Sequence, residues 1–307
     1  MSEILSIVGA GRVGRSLGRR LRELGWRIGV VTTRSIPTAR AAVRIIGAGN
    51  PTDQLTRQVL ASDVVLLATP DGVIADVAAD LARLGGNEWQ GKIVLHTSGA
   101  LDSLALRALA DAGAAAGSIH PMQTFSSQSV PDLAGIVFGI DGHPAALKVA
   151  RKMIRQMGGA AVRLSGANKA AYHAAGIFAC ANVLALVETA TRLLMSQGFK
   201  RRQAVRALLA LTRQMLDNLE RIGPRAAWTG PMTRGDFTTV QRHVGALSDF
   251  PPEYLDAYKV LSRLTALVLS EDPGALLQKL DTTLGPRHIP GHKGAAKKKT
   301  RKKFAVG

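Results

Sequence analysis

The sequence predicts an α/β fold: an N-terminal doubly wound parallel sheet followed by an all-helical C-terminal domain. Three observations predict it. Short apolar runs alternate with amphipathic stretches from Ile4 to about Leu164, the pattern of βαβ units. A glycine motif, Gly9-Ala10-Gly11-Arg12-Val13-Gly14, lies between the first apolar run and the first helical stretch. Beyond Asn168 nearly every segment has helical periodicity.

The elements follow in order. Ile4–Val8 predicts a strand that stops at Gly9, and Val13–Leu24 a helix closed by Gly25. Arg27–Thr32 reads as a second strand ending in polar residues, and Ala39–Ile46 as a short helix. Asp63–Ala68 is Val and Leu without alternation, which suits a strand covered on both faces. Pro70 and Asp71 end it, and Val73–Leu84 predicts a helix. Strands are expected at Lys92–His96, Gly117–His120, Gly135–Ile140 and Ala161–Leu164, and helices at Leu101–Ala112 and Leu147–Met157. Crossovers between parallel strands should be right-handed. Four helices then cover roughly Lys169–Gln197, Arg201–Ile222, Asp236–Leu247 and Pro252–Leu269. The domain break is expected near Leu164 to Gly166, giving domains 1–165 and 166–285 and a basic tail 286–307. The first of the four helices would be ~40 Å long. Apolar residues cover most of its circumference, which places it at the centre of its domain or of a dimer interface.

Composition narrows the function classes. Hydrophobic residues make up 46% of the 307 positions, enough for a real core. The single cysteine, Cys180, excludes an intrachain disulfide and reads as a buried, inert thiol. No secretory signal precedes the first strand, and Ala170–Val187 carries Tyr172, His173 and Asn182, so it reads as a core helix rather than a membrane span. A cytoplasmic protein is expected. The net charge of +18 suggests nucleic acid, but eight of its Lys and Arg residues, with no acid among them, lie from Arg287 onward. That arm reads as a disordered, solvated tail whose contacts with nucleic acid would be weak.

The glycine motif carries the cofactor argument. Gly9 permits a tight turn, Gly11 lets the backbone approach a pyrophosphate, and Gly14 lets the helix pack on the strand. The free N–H groups at Arg12 and Val13 would face phosphate oxygens. The end of the second strand distinguishes the two nicotinamide dinucleotides. Thr33-Arg34-Ser35 stands where a ribose-binding acid is usual, and no acid occurs from Val30 to Thr52. A guanidinium and hydroxyls suit a 2′-phosphate, so NADP(H) is expected; the alternative for Arg34 is a solvated loop arginine. Thr69 and Pro70 follow one strand, and Thr97 and Ser98 the next, at the sheet edge where ligands gather. Thr97 and Ser98 can also be read as caps for the helix at Leu101.

The chemistry is expected at His120, which ends another strand, and at Lys169, Tyr172 and His173, which share one helix face. Hydride addition to C=O or C=N requires charge stabilisation or a proton at the heteroatom. Lys169 is the first choice for the acid, with His173 or His120 as partner, Ser98 as a further catalytic candidate, and Tyr172 and Arg234 as substrate contacts. A structural His120, an exposed Lys169 and a solvated Arg234 are the competing readings. Asn182 lies off that face and should bond across to another helix. No metal site is expected.

Together these residues resemble the Rossmann-like oxidoreductases that carry the helical domain of unknown function 2520, relatives of the 6-phosphogluconate dehydrogenase superfamily. The resemblance rests on Gly9–Gly14, His96-Thr97-Ser98-Gly99-Ala100-Leu101, His120-Pro121-Met122-Gln123, Lys169–His173 with Asn182, and Gly230-Pro231 with Arg234-Gly235-Asp236. It implies a Rossmann domain, an all-helical C-terminal domain and a homodimer. Related β-hydroxyacid dehydrogenases begin a comparable helix with a catalytic Lys followed four residues on by Asn; here that position is His173. His120-Pro121-Met122 is similar to a stretch of prephenate dehydrogenases. The expected function is an NADP(H)-dependent oxidoreductase acting on a small polar carbonyl, hydroxy or imine compound. The alternatives are a non-catalytic dinucleotide sensor and a prephenate-dehydrogenase-like enzyme.

Overall fold

The computed structural model describes residues 3–126 and 129–285; the basic tail expected over 286–307 lies outside them. Within the described residues the chain divides into two units, one running to Leu184 and one beginning at Ala185.

The first unit is built on β1 (Ile4–Val8), α1 (Arg12–Glu23), β2 (Arg27–Thr32), α2 (Ile36–Ile46), β3 (Asn50–Thr52), β4 (Val64–Leu67) and α3 (Ile74–Gly85). There follow β5 (Ile93–His96), α4 (Arg107–Asp111), β6 (Ala115–Pro121), β7 (Val137–Gly142), α5 (Pro144–Gln156), β8 (Ala160–Arg163) and α6 (Lys169–Ile177). The strands form one sheet in the order β3-β2-β1-β4-β5-β6-β7-β8. The order of strand addition reverses between the parallel neighbours β1 and β4, the switch point where α/β sheets open a crevice. All four residues of β4 are buried, as the unalternating Val/Leu run required.

Side chains on one face of the sheet pack with Leu17, Leu21, Ala42, Ile46, Leu147 and Ile154. Those on the other face pack with Ile74, Leu81, Trp89, Leu106 and Leu109. Both faces are therefore dry, and each fully buried Leu or Ile contributes about 1.5–3 kcal/mol.

The unit boundary lies at Leu184/Ala185 rather than near Leu164 to Gly166, a further helix at Pro273–Leu284 was not foreseen, and four other features depart from the expected elements. The three residues of β3 were not foreseen. The helix expected over Leu101–Ala112 is a 3₁₀ turn, Ser103–Leu106, followed by the short α4. The sheet is mostly parallel, but β7 runs antiparallel to β6, because no crossover helix separates them and the chain returns directly. The long helix is interrupted by a π turn, Phe178–Asn182, which holds Asn182 exposed instead of bonded to another helix.

The second unit contains α7 (Val183–Ser196, which begins at the unit boundary), α8 (Arg201–Ile222), α9 (Pro224–Ala227), α10 (Phe237–Leu247), α11 (Pro252–Leu269) and α12 (Pro273–Leu284). Asp236 caps α10 by accepting from Thr239 N at 3.0 Å. Val240, Ala266, Leu280 and Leu284 form a small core among α10, α11 and α12. The stretch Gly166–Ser196 has a mean hydropathy of 1.7 and is long and apolar enough to cross a membrane by length and composition alone. It is not the buried core helix that its composition suggested, for only Lys169 and Thr191 are buried along α6 and α7. Cys180 is exposed rather than buried. On α8, 22 residues long, only Ala204 is buried.

Candidate active site

The glycine motif folds as its chemistry requires. β1 ends at Val8, and Gly9 turns the chain with φ +89°, its N–H donating to Thr32 O at 2.8 Å. A Cβ on Gly9 would stand 2.6 Å from Thr69 N, and one on Gly14 would stand 2.6 Å from Gly9 O. A Cβ on Gly11 would meet nothing within 4 Å, so the backbone there borders open space. α1 starts at Arg12, and its first-turn N–H groups have no intrahelical acceptor, which favours an anion beside them.

This cradle is one end of a cavity of ≈ 1050 Å³ in the first unit. Thr33, Arg34 and Ser35 line the cavity at the end of β2, and Thr69, Pro70 and Asp71 after β4. Thr97, Ser98 and Gly99 line it after β5, His120, Pro121, Gln123 and Phe125 at and after β6, and His173 from α6. Arg12 also lines it, and donates to Phe125 O at 3.3 Å. The Thr69 hydroxyl oxygen is buried in this wall with no hydrogen-bond partner among the described residues. An orphaned hydroxyl, an open space over Gly11 and free helix N–H groups fit a bound dinucleotide. Asp53, one residue past β3, shares the wall with Arg34. It escaped the sequence reading because β3 itself was not foreseen.

At the other end the loop after β5 is organised by a buried imidazole. His96 Nε2 donates to Asp102 O at 2.9 Å, and its Nδ1 accepts from Ser98 N at 3.2 Å. Burial first, then the nearby Lys169 charge, push His96 down to about 4, so it is a neutral spacer that shapes the loop. Ser98 Oγ donates to Asp71 Oδ2 at 2.8 Å and accepts from Ala100 N and Leu101 N. Its hydroxyl is thus committed to capping the turn and holding Asp71. It is not a free catalytic hydroxyl.

Gly99 brings the backbone against two further imidazoles. A Cβ there would come within 2.7 Å of both His120 Nε2 and His173 Cδ2. The two rings meet edge-on with centroids 5.8 Å apart. Tyr172 OH donates to His120 O at 3.3 Å and lies 3.0 Å from His120 Nδ1. Its oxygen therefore accepts from Nδ1–H, leaving the lone pair of His120 on Nε2 above Gly99. Burial, followed by the neighbouring His173 and Lys169 charges, lowers His120 to about 4, so its ring is neutral at pH 7. Tyr172, expected as a substrate contact, is not among the residues that line the cavity; it hydrogen-bonds to His120 instead.

Lys169 departs furthest from expectation. Its side chain is 0% exposed and does not line the cavity. Nζ donates to Ser118 Oγ at 2.6 Å and to Asp141 Oδ1 at 3.1 Å. Ser118 Oγ donates to the same carboxylate oxygen, and Ser103 N to Oδ2 at 2.7 Å. Burial lowers the Lys169 pKa against the pull of Asp141. Burial also pushes Asp141 upward, but the Ser118 hydrogen bond and the Lys169 charge outweigh it, so its carboxyl lies below the usual range. An ammonium sealed in this way has no open route to the cavity, which does not fit the acid/base role expected of Lys169. Arg234 is exposed on the turn Met232–Arg234 of the second unit. Ser118 and Asp141 were missed, and Asp71 was legible only as a polar residue of the loop after β4, without its tie to Ser98. The only sequence signal for Asp141 is a carboxylate inside an otherwise apolar strand.

The Rossmann-like domain family matches residues 3–121, and the domain of unknown function DUF2520 matches residues 136–265. No curated protein matches the chain. Among solved structures, a Bacteroides fragilis protein proposed to be an NADP oxidoreductase shares the fold with a TM-score of 0.69 at 22% identity, over 85% of this chain and 97% of that one. A protein from Thermotoga maritima matches with a TM-score of 0.63 at 26% identity, over 84% of this chain and 96% of that one.

Proposed function

Because the chain belongs to the family that joins a Rossmann-like domain to the domain of unknown function DUF2520, we propose that it is an NADP(H)-dependent oxidoreductase acting on a small polar carbonyl, hydroxy or imine compound. The observation that carries this reading is one continuous cavity, with the glycine cradle and Arg34 at one end and His120 and His173 at the other. Gly9, Gly11, Arg12, Val13 and Gly14 would hold the pyrophosphate by backbone N–H groups and close approach. Thr33, Arg34 and Ser35 would take the 2′-phosphate, and Thr69, Pro70 and Thr97 the ribose next to the nicotinamide. The nicotinamide, when bound, supplies or accepts a hydride.

The chain's own part is proton handling and shape. Neutral His120 offers the Nε2 lone pair to a substrate proton, with Tyr172 fixing its tautomer. His173 forms the adjoining wall and is the second candidate for the acid. The sealed Lys169–Asp141 pair positions this group without touching the substrate. The exposed apolar side chains Leu184, Leu186, Leu211, Met215 and Leu216 on α7 and α8 support a homodimer through those helices. A cytoplasmic setting completes this proposal.

Titration of the purified chain with NADPH and NADH, followed by fluorescence, tests the reading. NADPH should bind at least tenfold tighter than NADH, as expected for a charge-assisted phosphate contact of roughly 1.5–3 kcal/mol. Binding of neither dinucleotide would overturn it.

A further inference from the structure

The reactive end of the cavity has a carboxylate and two imidazoles, and neither a lysine nor an arginine lines it beside them. Asp71 lines the wall, and its Oδ2 is tied to Ser98 Oγ at 2.8 Å. Ser98 is followed by Gly99, whose backbone lies against His120 Nε2 and His173. One carboxylate and two imidazoles are thus gathered around a single dipeptide. Of the arginines that line the cavity, Arg34 stands at the end of β2 and Arg12 in the first turn of α1, where its guanidinium donates to Phe125 O. Lys169 is spent on Asp141 and sealed from the cavity. His120 is neutral at pH 7.

We propose that Asp71 is a specificity-determining group and that the reactive end takes a cationic substrate, a protonated amine or an iminium, in preference to a neutral ketone or a carboxylate. This rests on the functional reading above and selects one of its substrate classes. A carboxylate held by Ser98 loses little freedom on pairing with an ammonium group, and its second oxygen remains for the ligand. A ligand carboxylate in the same place would face Asp71 at short range with no lysine or arginine on the first unit's wall beside it, which is unfavourable. The neutral Nε2 of His120 can accept one N–H of the same ammonium group.

The test uses the full chain at pH 7.5 and three probes of matched shape: cyclohexylammonium, cyclohexanone and cyclohexanecarboxylate. Binding is followed by ligand-detected NMR, with and without saturating NADP⁺. Cyclohexylammonium should bind roughly tenfold or more tightly than either of the others, the size of one charge-assisted contact. Asp71→Asn should remove that preference while leaving the thermal melt unchanged, and Asp71→Glu should restore part of it. Equal binding of the three probes, or a preference for the carboxylate, would overturn the proposal. So would an Asp71→Asn variant that keeps the ammonium preference but binds NADP⁺ tenfold more weakly, since Asp71 would then be a dinucleotide contact. Failure to bind NADP(H), with the ammonium preference intact, would sink the oxidoreductase reading alone.

Discussion

Replacing Lys169 with methionine removes one charge from a fully buried pair and keeps nearly the same length. Its ammonium lies 3.1 Å from Asp141 Oδ1. At an effective dielectric of about 20, that separation corresponds to an attraction of about 5 kcal/mol. Desolvation of both ions offsets much of this, yet breaking a buried pair from one side typically costs about 3–5 kcal/mol because the other charge stays behind. Asp141 would keep the Ser118 hydroxyl and the Ser103 N–H as donors, so the expected loss lies at the lower end, about 3 kcal/mol. Urea unfolding followed by Trp26 and Trp89, both in the first unit, measures it. Lys169→Met/Asp141→Asn should recover most of the loss, since no charge is then stranded. The sign with pH follows from Asp141, whose folded pKa is lowered. Its contribution is complete above the ordinary carboxylate pKa and is lost as pH falls through the folded value. The deficit of Lys169→Met should therefore shrink in acid. The variant should also let His120 and His96 titrate at higher pH, because the Lys169 charge helps hold both down. A stability change below about 1 kcal/mol, with both imidazole titrations unmoved, would refute the reasoning.

Arg34→Asp should move dinucleotide preference from NADPH toward NADH by roughly tenfold or more; unchanged relative affinities would remove Arg34 from the 2′-phosphate site. His120→Ala should lower turnover about 10²–10⁴-fold with NADPH affinity within about twofold, and Tyr172→Phe should give a smaller loss with a displaced pH profile; full activity in both variants would exclude the Nε2 role. Stability should fall in acid through His96, whose folded value of about 4 lies below the ordinary 6.5. That contribution is intact above pH 6.5 and diminishes as pH drops, by about 3 kcal/mol at pH 4; a flat stability profile from pH 7 to pH 4.5 would contradict it.

The parts of the fold that could be read from the chain are those encoded by neighbours in sequence. Ile4–Val8 followed by Gly9 announces a strand and a turn, and the Val/Leu run at β4 announces a central strand, because burial on two faces demands apolar side chains throughout. β3 could not be read: three residues, one of them Pro51, carry no periodicity, and their pairing with β2 comes from the sheet. The direction of β7 depends on a connection without a helix, not on its own residues. The cofactor end was legible for the same local reason, since Gly9–Gly14 is contiguous. The chemical end was only half so. His120 and His173 were found by residue type, but Lys169 could not be placed because its partners, Ser118 and Asp141, are 51 and 28 positions away. Likewise Ser98 reads as a reactive hydroxyl until Asp71, 27 positions earlier, accepts its hydrogen bond.

The reversal of β7 has an evolutionary corollary. A parallel β7 would have to start at the far edge of the sheet, drawing the chain away from the crevice. Because β7 instead starts where β6 stops, Met122 N already meets Val137 O, and the two ends of the connection are held together at a single rim. Gln123 and Phe125 reach the cavity from that rim. Insertions, deletions or exchanges in this connection can change what the mouth admits while every strand pairing stays in register, so new specificities are open to the scaffold without refolding its sheet.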